Sequence, residues 1–228
     1  MATVNGSVIG NLSGKLGNLT ARTVWGKTIL AARPSNFTPS MDPIVVENRS
    51  KFGITSNFAK FVITIGTLEL IWKFVKKPGM SVFNTVLKYN FPFVSVLMPT
   101  LQNVITPLGF NPPVASAVVD ENGLTASVTA LNEVADIIAE EVNLSAMALI
   151  CFHDPISPEL IPYQIIPVVK EIESFNFSAP YNLNIQFSTF QNSIKSQYGK
   201  YLLFLAFASK DYAGNVIRYS STFAKQSI

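Results

Sequence analysis

The chain has 228 residues, of which 48% are hydrophobic and only 14% are charged, and its formal net charge is +3. This length predicts one large or two small domains, and this hydrophobic content excludes a largely disordered chain. The single cysteine, Cys151, excludes an internal disulfide and a metal framework built from cysteines. The small number of charged residues gives little electrostatic repulsion between monomers, which favours self-association.

The charges are unevenly distributed along the chain. Residues 1–88 hold eleven Lys and Arg against three Asp and Glu, residues 120–173 hold one against ten, and residues 195–225 hold five against one. Blocks of opposite sign can attract each other within one chain or between chains. The basic residues are scattered rather than set among aromatic rings on one surface, so no nucleic-acid partner is expected.

The chain opens with a glycine-rich, basic segment, residues 1–34, that contains no acidic residue. Its strand formers and glycines predict extended or hairpin structure. Such a segment cannot fold alone, so we expect it to dock on its own chain or on a neighbour. One route is the pairing of residues 4–32 with a sheet edge of a neighbouring subunit. The residues of this candidate assembly segment are Gly10, Asn11, Gly14, Lys15, Gly17, Asn18, Trp25 and Gly26.

The first residues lack a charged region followed by an apolar stretch, so no secretory signal peptide is predicted. A virion, another particle or a cytoplasmic assembly is therefore favoured over Sec-dependent secretion as the setting of the protein.

Residues 21–28 nearly match the phosphate-binding loop that opens with glycine and ends in Gly-Lys-Thr. The first glycine is replaced by Ala21, and Val24 and Trp25 fill the loop where backbone amides would cradle phosphate. A strand followed by a turn is the preferred interpretation, and no cofactor is predicted.

Helices are predicted next. Asp42 and Pro43 resemble an N-cap with proline at the first helical position, and helix is expected from there to about Lys77, with Gly53 as a candidate break. Residues 61–75 are apolar at helical spacing. This run is too short for a membrane span, so a buried helix is preferred and no membrane span is predicted.

A second helix is expected over residues 81–90, followed by an apolar linker, residues 91–113, that contains five prolines. This change of composition places a domain boundary between residues 111 and 112. The predicted domains are an extended and helical region, 1–111, and a β-domain, 112–228.

From residue 114 onward the pattern has the period of two that is typical of half-buried strands. Residues 201–208 are apolar on both faces, as a central strand would be. The predicted fold is therefore α+β, in which an extended segment and helices precede an all-β immunoglobulin-like sandwich. Strands are expected near residues 114–119, 124–130, 145–153, 161–169, 172–178, 182–187, 201–208 and 216–223, and a short acidic helix is expected over 133–141.

Three groups of residues are candidates for catalytic or metal-binding sites. Cys151 and His153 lie two apart, on one face of a strand, and could form a nucleophilic pair, but a structural role is favoured. The acidic residues between 133 and 141 lack the alternation of a calcium loop. Glu171 and Glu173 have no partner that would make a glycosidase pair. The protein is thus predicted not to be an enzyme.

A set of short motifs is spread along the chain: Gly10 to Asn18, Trp25-Gly26-Lys27, Arg33-Pro34, Arg49-Ser50-Lys51-Phe52, Phe83-Asn84 to Asn90, Tyr198-Gly199-Lys200, Phe207-Ala208-Ser209 and Ser220-Ser221-Thr222-Phe223. In these motifs the chain resembles an uncharacterised protein family of Bacteroidota. The resemblance implies a helical and extended N-terminal half, a sandwich-like C-terminal domain and no known activity.

Two functions of different class follow from these features. The first is a non-enzymatic structural protein that assembles with itself, or decorates a larger particle such as a virion, an injection particle or a filament, through its N-terminal segment. The alternative is a binding module that recognises a glycan or a protein through the loops of the sandwich. A concave aromatic patch from Tyr163, Tyr181, Tyr198 or Tyr212 would favour the alternative.

Overall fold

A computed structural model describes residues 2–4, 13–24, 26–32 and 38–227. The protein is of the mixed α+β class, as predicted. The chain divides into two compact units, Met1–Val46 and Glu47–Ile228.

The first unit contains an antiparallel sheet of short strands. Its strands are β1 (Ala2–Val4), β2 (Gly14–Leu16), β3 (Leu19–Val24) and β4 (Lys27–Ala32). They lie in the order β1-β4-β3-β2. The prediction of extended and hairpin structure is confirmed for the described residues of this segment.

Three helices follow: α1 (Pro43–Thr64), α2 (Gly66–Val75) and α3 (Val82–Asn90). The Asp42 carboxylate accepts a hydrogen bond from the Ile44 N–H (2.9 Å), as the predicted N-cap should. The expected break at Gly53 is wrong, because the chain leaves the helical conformation at Ile65 (φ −85°, ψ 106°). A glycine inside a helix costs about 1 kcal/mol, a cost that the packing of α1 can offset.

The predicted apolar helix is buried, since Leu68, Ile71 and Trp72 of α2 are all inaccessible to solvent. No helix in the described part of the chain is both long enough and apolar enough to cross a membrane.

The second unit also holds two antiparallel sheets. One has the order β5-β6-β9, and the other has the order β11-β10-β7-β8, with β12 also paired to β10. The strands are β5 (Val114–Val119), β6 (Gly123–Val128), β7 (Asn143–Pro155), β8 (Tyr163–Ile172), β9 (Tyr181–Gln186), β10 (Tyr198–Lys210), β11 (Val216–Tyr219) and β12 (Phe223–Gln226).

Two local predictions in this region are wrong, and one helix was not predicted. Residues 172–178 do not form a strand, because β8 ends at Ile172 and Ser174 has a φ of +50°. The acidic segment is not a helix, since only a short 3-10 turn is formed, at Leu131–Glu133. The helix that was not predicted is α4 (Thr189–Lys195), which lies among strands in the chain. It begins with a capping box between Ser188 and Gln191.

The five-stranded sheet is buried on both faces, which explains why residues 201–208 are apolar throughout. On β10, Leu203, Leu205 and Phe207 face the three-stranded sheet. Leu202, Phe204 and Ala206 point the other way and join the core formed with the helices. Successive side chains of a strand point to opposite faces, so a strand between two layers must be apolar at every position.

The boundary expected between residues 111 and 112 does not separate two compact units. Phe58, Trp72 and Val86, from the three helices, share one core with residues of β7, β8 and β10. The proline-rich stretch is fastened to this body, since buried Asn90 accepts a hydrogen bond from the Val104 N–H (2.8 Å) and donates one to the Val104 carbonyl (3.0 Å). The helices therefore share a core with the five-stranded sheet and do not form a domain apart from it.

Candidate assembly site

The described residues of the candidate assembly segment lie in two successive hairpins, β2–β3 and β3–β4. Gly17 and Asn18 form the two-residue turn between β2 and β3, and Leu16 pairs with Leu19 across it. Gly17 has a φ of +59°. A glycine with positive φ at the first central position is what a type II′ hairpin turn requires, so Gly17 and Asn18 set the register of this hairpin.

The remaining residues of the segment lie beside the turns or outside the described residues. Gly14 opens β2 and Lys15 is its central residue. Gly26, with a φ of +71°, lies in the turn between β3 and β4. Gly10, Asn11 and Trp25 lie outside the described residues.

One face of the N-terminal sheet is apolar and incompletely covered. Pairing places Leu16 beside Leu19, and Ala21 beside Leu30, so these four side chains share a face. Leu16 is 59% exposed, and Leu19 and Leu30 are only partly buried. In the described part of this sheet, Ala21 and Thr28 are the only buried residues. The sheet thus contributes almost no core of its own.

The opposite face of the sheet carries the basic side chains of this segment, together with Val24 and Ile29. Lys15, Arg22 and Lys27, one from each of three neighbouring strands, fall on this face because the pairing alternates with that of the apolar residues. All three are exposed. The sheet therefore presents one face with its leucines and another on which basic and apolar side chains are mixed.

The outer edge of the sheet is open on β2. Among the described strands, β2 is last in the order and pairs on one side only, with β3. In a two-residue hairpin the pair that flanks the turn is hydrogen-bonded and the next pair is not. The Lys15 N–H and carbonyl consequently point away from β3, where another strand can pair with them.

The near-match to a phosphate-binding loop has no such geometry. Of the residues that the structure describes here, 21–24 lie in β3, Gly26 lies in the turn and Lys27 and Thr28 open β4, with Val24 paired to Lys27. No helix follows whose N-terminus would bind phosphate, because the next residues belong to β4. The interpretation as strand and turn is correct.

Cys151 and His153 share a face of β7, but Cys151 has no access to solvent. It lies in the core between the five-stranded sheet and the helices, beside Met147 and Leu149. Burial raises the pKa of the Cys151 thiol to about 12. Burial also lowers the pKa of His153, which nearby Asp154 partly opposes. Because the thiolate is the nucleophile, this environment disfavours thiol chemistry.

The Cys151 thiol is expected to be inert in the folded protein. With a pKa of about 12, on the order of one thiol in ten thousand is ionised at pH 8. Native protein mixed with 5,5′-dithiobis(2-nitrobenzoate) at pH 8 should show no reaction over hours, whereas protein in guanidinium chloride should react at once. Reaction of the native protein at the rate of a free thiol would contradict this burial.

The acidic segment between the two sheets is largely solvated. Glu133, Asp136 and Glu140 are exposed, whereas Glu141 is buried. The Glu141 Oε1 atom accepts hydrogen bonds from the Arg218 Nε atom (3.3 Å) and the Ile138 N–H (3.1 Å).

Across the described residues, no group of three or more His, Cys, Asp and Glu is arranged to hold a metal ion.

The four tyrosines considered for ligand recognition do not form one patch. Tyr181 packs against Phe175, with ring centroids 5.3 Å apart. Tyr198 is buried and its hydroxyl donates to the Ile161 carbonyl (3.1 Å). Tyr163 is half-buried and its hydroxyl accepts from the Asn57 amide, while Tyr212 is exposed in a turn. The aromatic surface expected of a glycan-binding site is therefore not assembled from these residues.

A second exposed feature was not anticipated from the sequence. A groove of about 490 Å³ lies along the end of α2, α3 and the 3-10 turn that follows it. We call this the helical groove; it is lined by Val75, Lys77, Met80, Thr85, Lys88, Tyr89, Pro92 and Phe93. No local sequence signal reveals this groove, because the exposure of Tyr89 and Phe93 depends on what the assembled helices leave uncovered.

The comparisons with known proteins add no family to these observations. No family model matches the chain, and no curated protein and no solved structure matches it either.

Proposed function

We propose that the protein is a non-enzymatic structural subunit that assembles with copies of itself through its N-terminal sheet. The observation that carries the proposal is the apolar face of this sheet, on which Leu16 is 59% exposed and Leu19 and Leu30 are only partly buried. A small sheet needs a packed hydrophobic face for stability. A neighbouring subunit can supply that packing and bury the apolar face.

The open edge of β2 supports the same function. Addition of a strand to this edge would satisfy the outward N–H and carbonyl of Lys15 and would align the apolar face with the partner. The repeat of such a contact from subunit to subunit gives a ring if the rotation closes and a filament if it does not. Residence in a virion, an injection particle or a filament is the corresponding setting.

An immunoglobulin-like sandwich is proposed as the scaffold. In that fold, one sheet contains strands A, B and E and the other contains C, F and G, with C′ beside C in some members. The order β5-β6-β9 corresponds to A-B-E, and the order β8-β7-β10-β11 corresponds to C′-C-F-G. This correspondence also agrees with the proposed membership of the uncharacterised Bacteroidota family.

Deletion of residues 1–32 tests the proposal. The shortened protein retains the compact unit Glu47–Ile228. It is expected to sediment as a smaller species than the oligomers of the full chain, because the deletion removes the apolar face and the open edge. An unchanged oligomer in sedimentation velocity would contradict the proposal.

A single substitution sharpens this test. Lys15→Pro removes the outward N–H of β2 without removing a hydrogen bond to β3, so it should weaken assembly. Lys15→Gln removes the charge but keeps the N–H, and is the matched control. Equal oligomer content for the two variants would exclude strand addition at this edge.

A further inference from the structure

We infer that the helical groove binds the acidic segment of a second copy of this chain, so that subunits associate head to tail. The acidic segment is defined as residues 133–140. The inference rests on the proposed self-association and names a second contact surface for it.

The groove combines apolar rings with unpaired positive charge. Val75, Tyr89 and Phe93 are exposed along it, and Lys77 and Lys88 stand on its lining. Neither lysine takes part in a salt bridge within the described part of the chain. A partner that carries both apolar and acidic side chains would match this lining.

The groove is held in shape by buried contacts. The Tyr89 ring stands edge-on against Trp72, with centroids 5.3 Å apart. Trp72 is in turn fixed by its indole N–H, which donates to the Ile105 carbonyl (2.8 Å). A surface held in this way loses little conformational entropy on binding, and its aromatic rings are of the type that dominates interface energy.

The acidic segment has the complementary chemistry. Val134 is 40% exposed and Ile138 is 46% exposed, and they alternate with exposed Glu133, Asp136 and Glu140. None of these three carboxylates takes part in a salt bridge among the described residues. The segment thus offers two apolar side chains and three unpaired negative charges.

The acidic segment is also fastened to its own subunit. Arg218 donates from its Nη2 atom to the Asp136 carbonyl (2.6 Å), and the Glu141 N–H bonds the Ile138 carbonyl (3.0 Å). Leu131, two residues before the acidic segment, is buried between the two sheets, whereas Trp72 under the groove belongs to the core on the other face of the five-stranded sheet. A segment anchored in this way is presented to a neighbour, and a groove in the neighbour can receive it.

Two charge reversals test the inference. Lys77→Glu with Lys88→Glu makes the groove acidic, and Asp136→Lys with Glu140→Lys makes the segment basic. Each double variant alone is expected to form smaller oligomers than the unaltered chain in sedimentation velocity at about 0.1 M salt, where the screening length is about 10 Å, because only the N-terminal contact remains. An equimolar mixture of the two should regain the larger oligomers, because each altered groove then meets a segment of opposite charge.

Charge-matched variants control for general attraction. Lys60→Glu with Lys195→Glu changes the net charge as the groove variant does, but lies outside the groove. This control should assemble like the unaltered chain. In its mixture with the segment variant the reversed segment should find no partner, because the control's groove still carries Lys77 and Lys88. Unaltered oligomers in both reversed variants would overturn the inference and leave the N-terminal contact standing.

Two other results are equally decisive. Loss of assembly on reversal of the groove but not of the segment would give the groove another occupant and overturn the inference. A monomeric full chain at all concentrations would overturn both the inference and the proposed function.

Discussion

Phe204→Ala is expected to lower the free energy of unfolding by about 3–5 kcal/mol, the usual cost of removing a fully buried aromatic side chain. Phe204 lies on β10, has no exposure to solvent and faces the helices. Its ring stands edge-on against Phe58 of α1, with centroids 5.4 Å apart. The substitution therefore opens a cavity at the contact between helix and sheet. Urea denaturation followed by circular dichroism measures the change.

Phe190→Ala is the matched control for this substitution. Phe190 is on α4 and is 69% exposed, so its loss should change the free energy of unfolding by no more than about 0.5 kcal/mol. A change below 1 kcal/mol for Phe204→Ala would contradict the shared core of helices and sheet.

Residues 112–228, expressed without the helices, are expected to aggregate rather than fold as a soluble domain. The helix-facing side of the five-stranded sheet would then be exposed, and large apolar patches on a monomer lead to association. The residues uncovered include Met147, Leu149, Ile165, Leu202, Phe204 and Ala206. Size-exclusion chromatography and the dispersion of amide NMR signals measure the outcome.

Residues 47–228 are the control for this truncation. They keep the helices on the sheet and should give a soluble protein that unfolds in one transition. A folded, monomeric 112–228 fragment would restore the domain boundary that the composition predicts.

The position of the elements was well predicted where one local pattern dominates. The start of α1 at Pro43, the end of α2 near Lys77 and most strands follow from caps, helical spacing and alternation. The break at Ile65 and the positive φ of Ser174 were not predicted, because each depends on contacts made elsewhere in the fold.

The candidate site was predicted in part. The glycines and the pattern of residues 13–32 indicated hairpins, and the structure adds which side chains share a face. The helical groove could not be predicted, because Tyr89 and Phe93 are apolar residues whose exposure depends on what α2 and α3 leave uncovered. Exposure is a property of the assembled fold and has no local sequence signal.

The sequence by itself determined the class of the fold, the types of most elements and the inert surroundings of a single cysteine on an apolar strand. These depend on propensity and periodicity, which act over a few residues. Only the tertiary structure decided that the helices pack on the five-stranded sheet. Residues 201–208 would have the same apolar pattern whether their second face met a helix or a sheet. Apolar burial is non-directional, so a strand that is apolar on both faces does not specify its two partners.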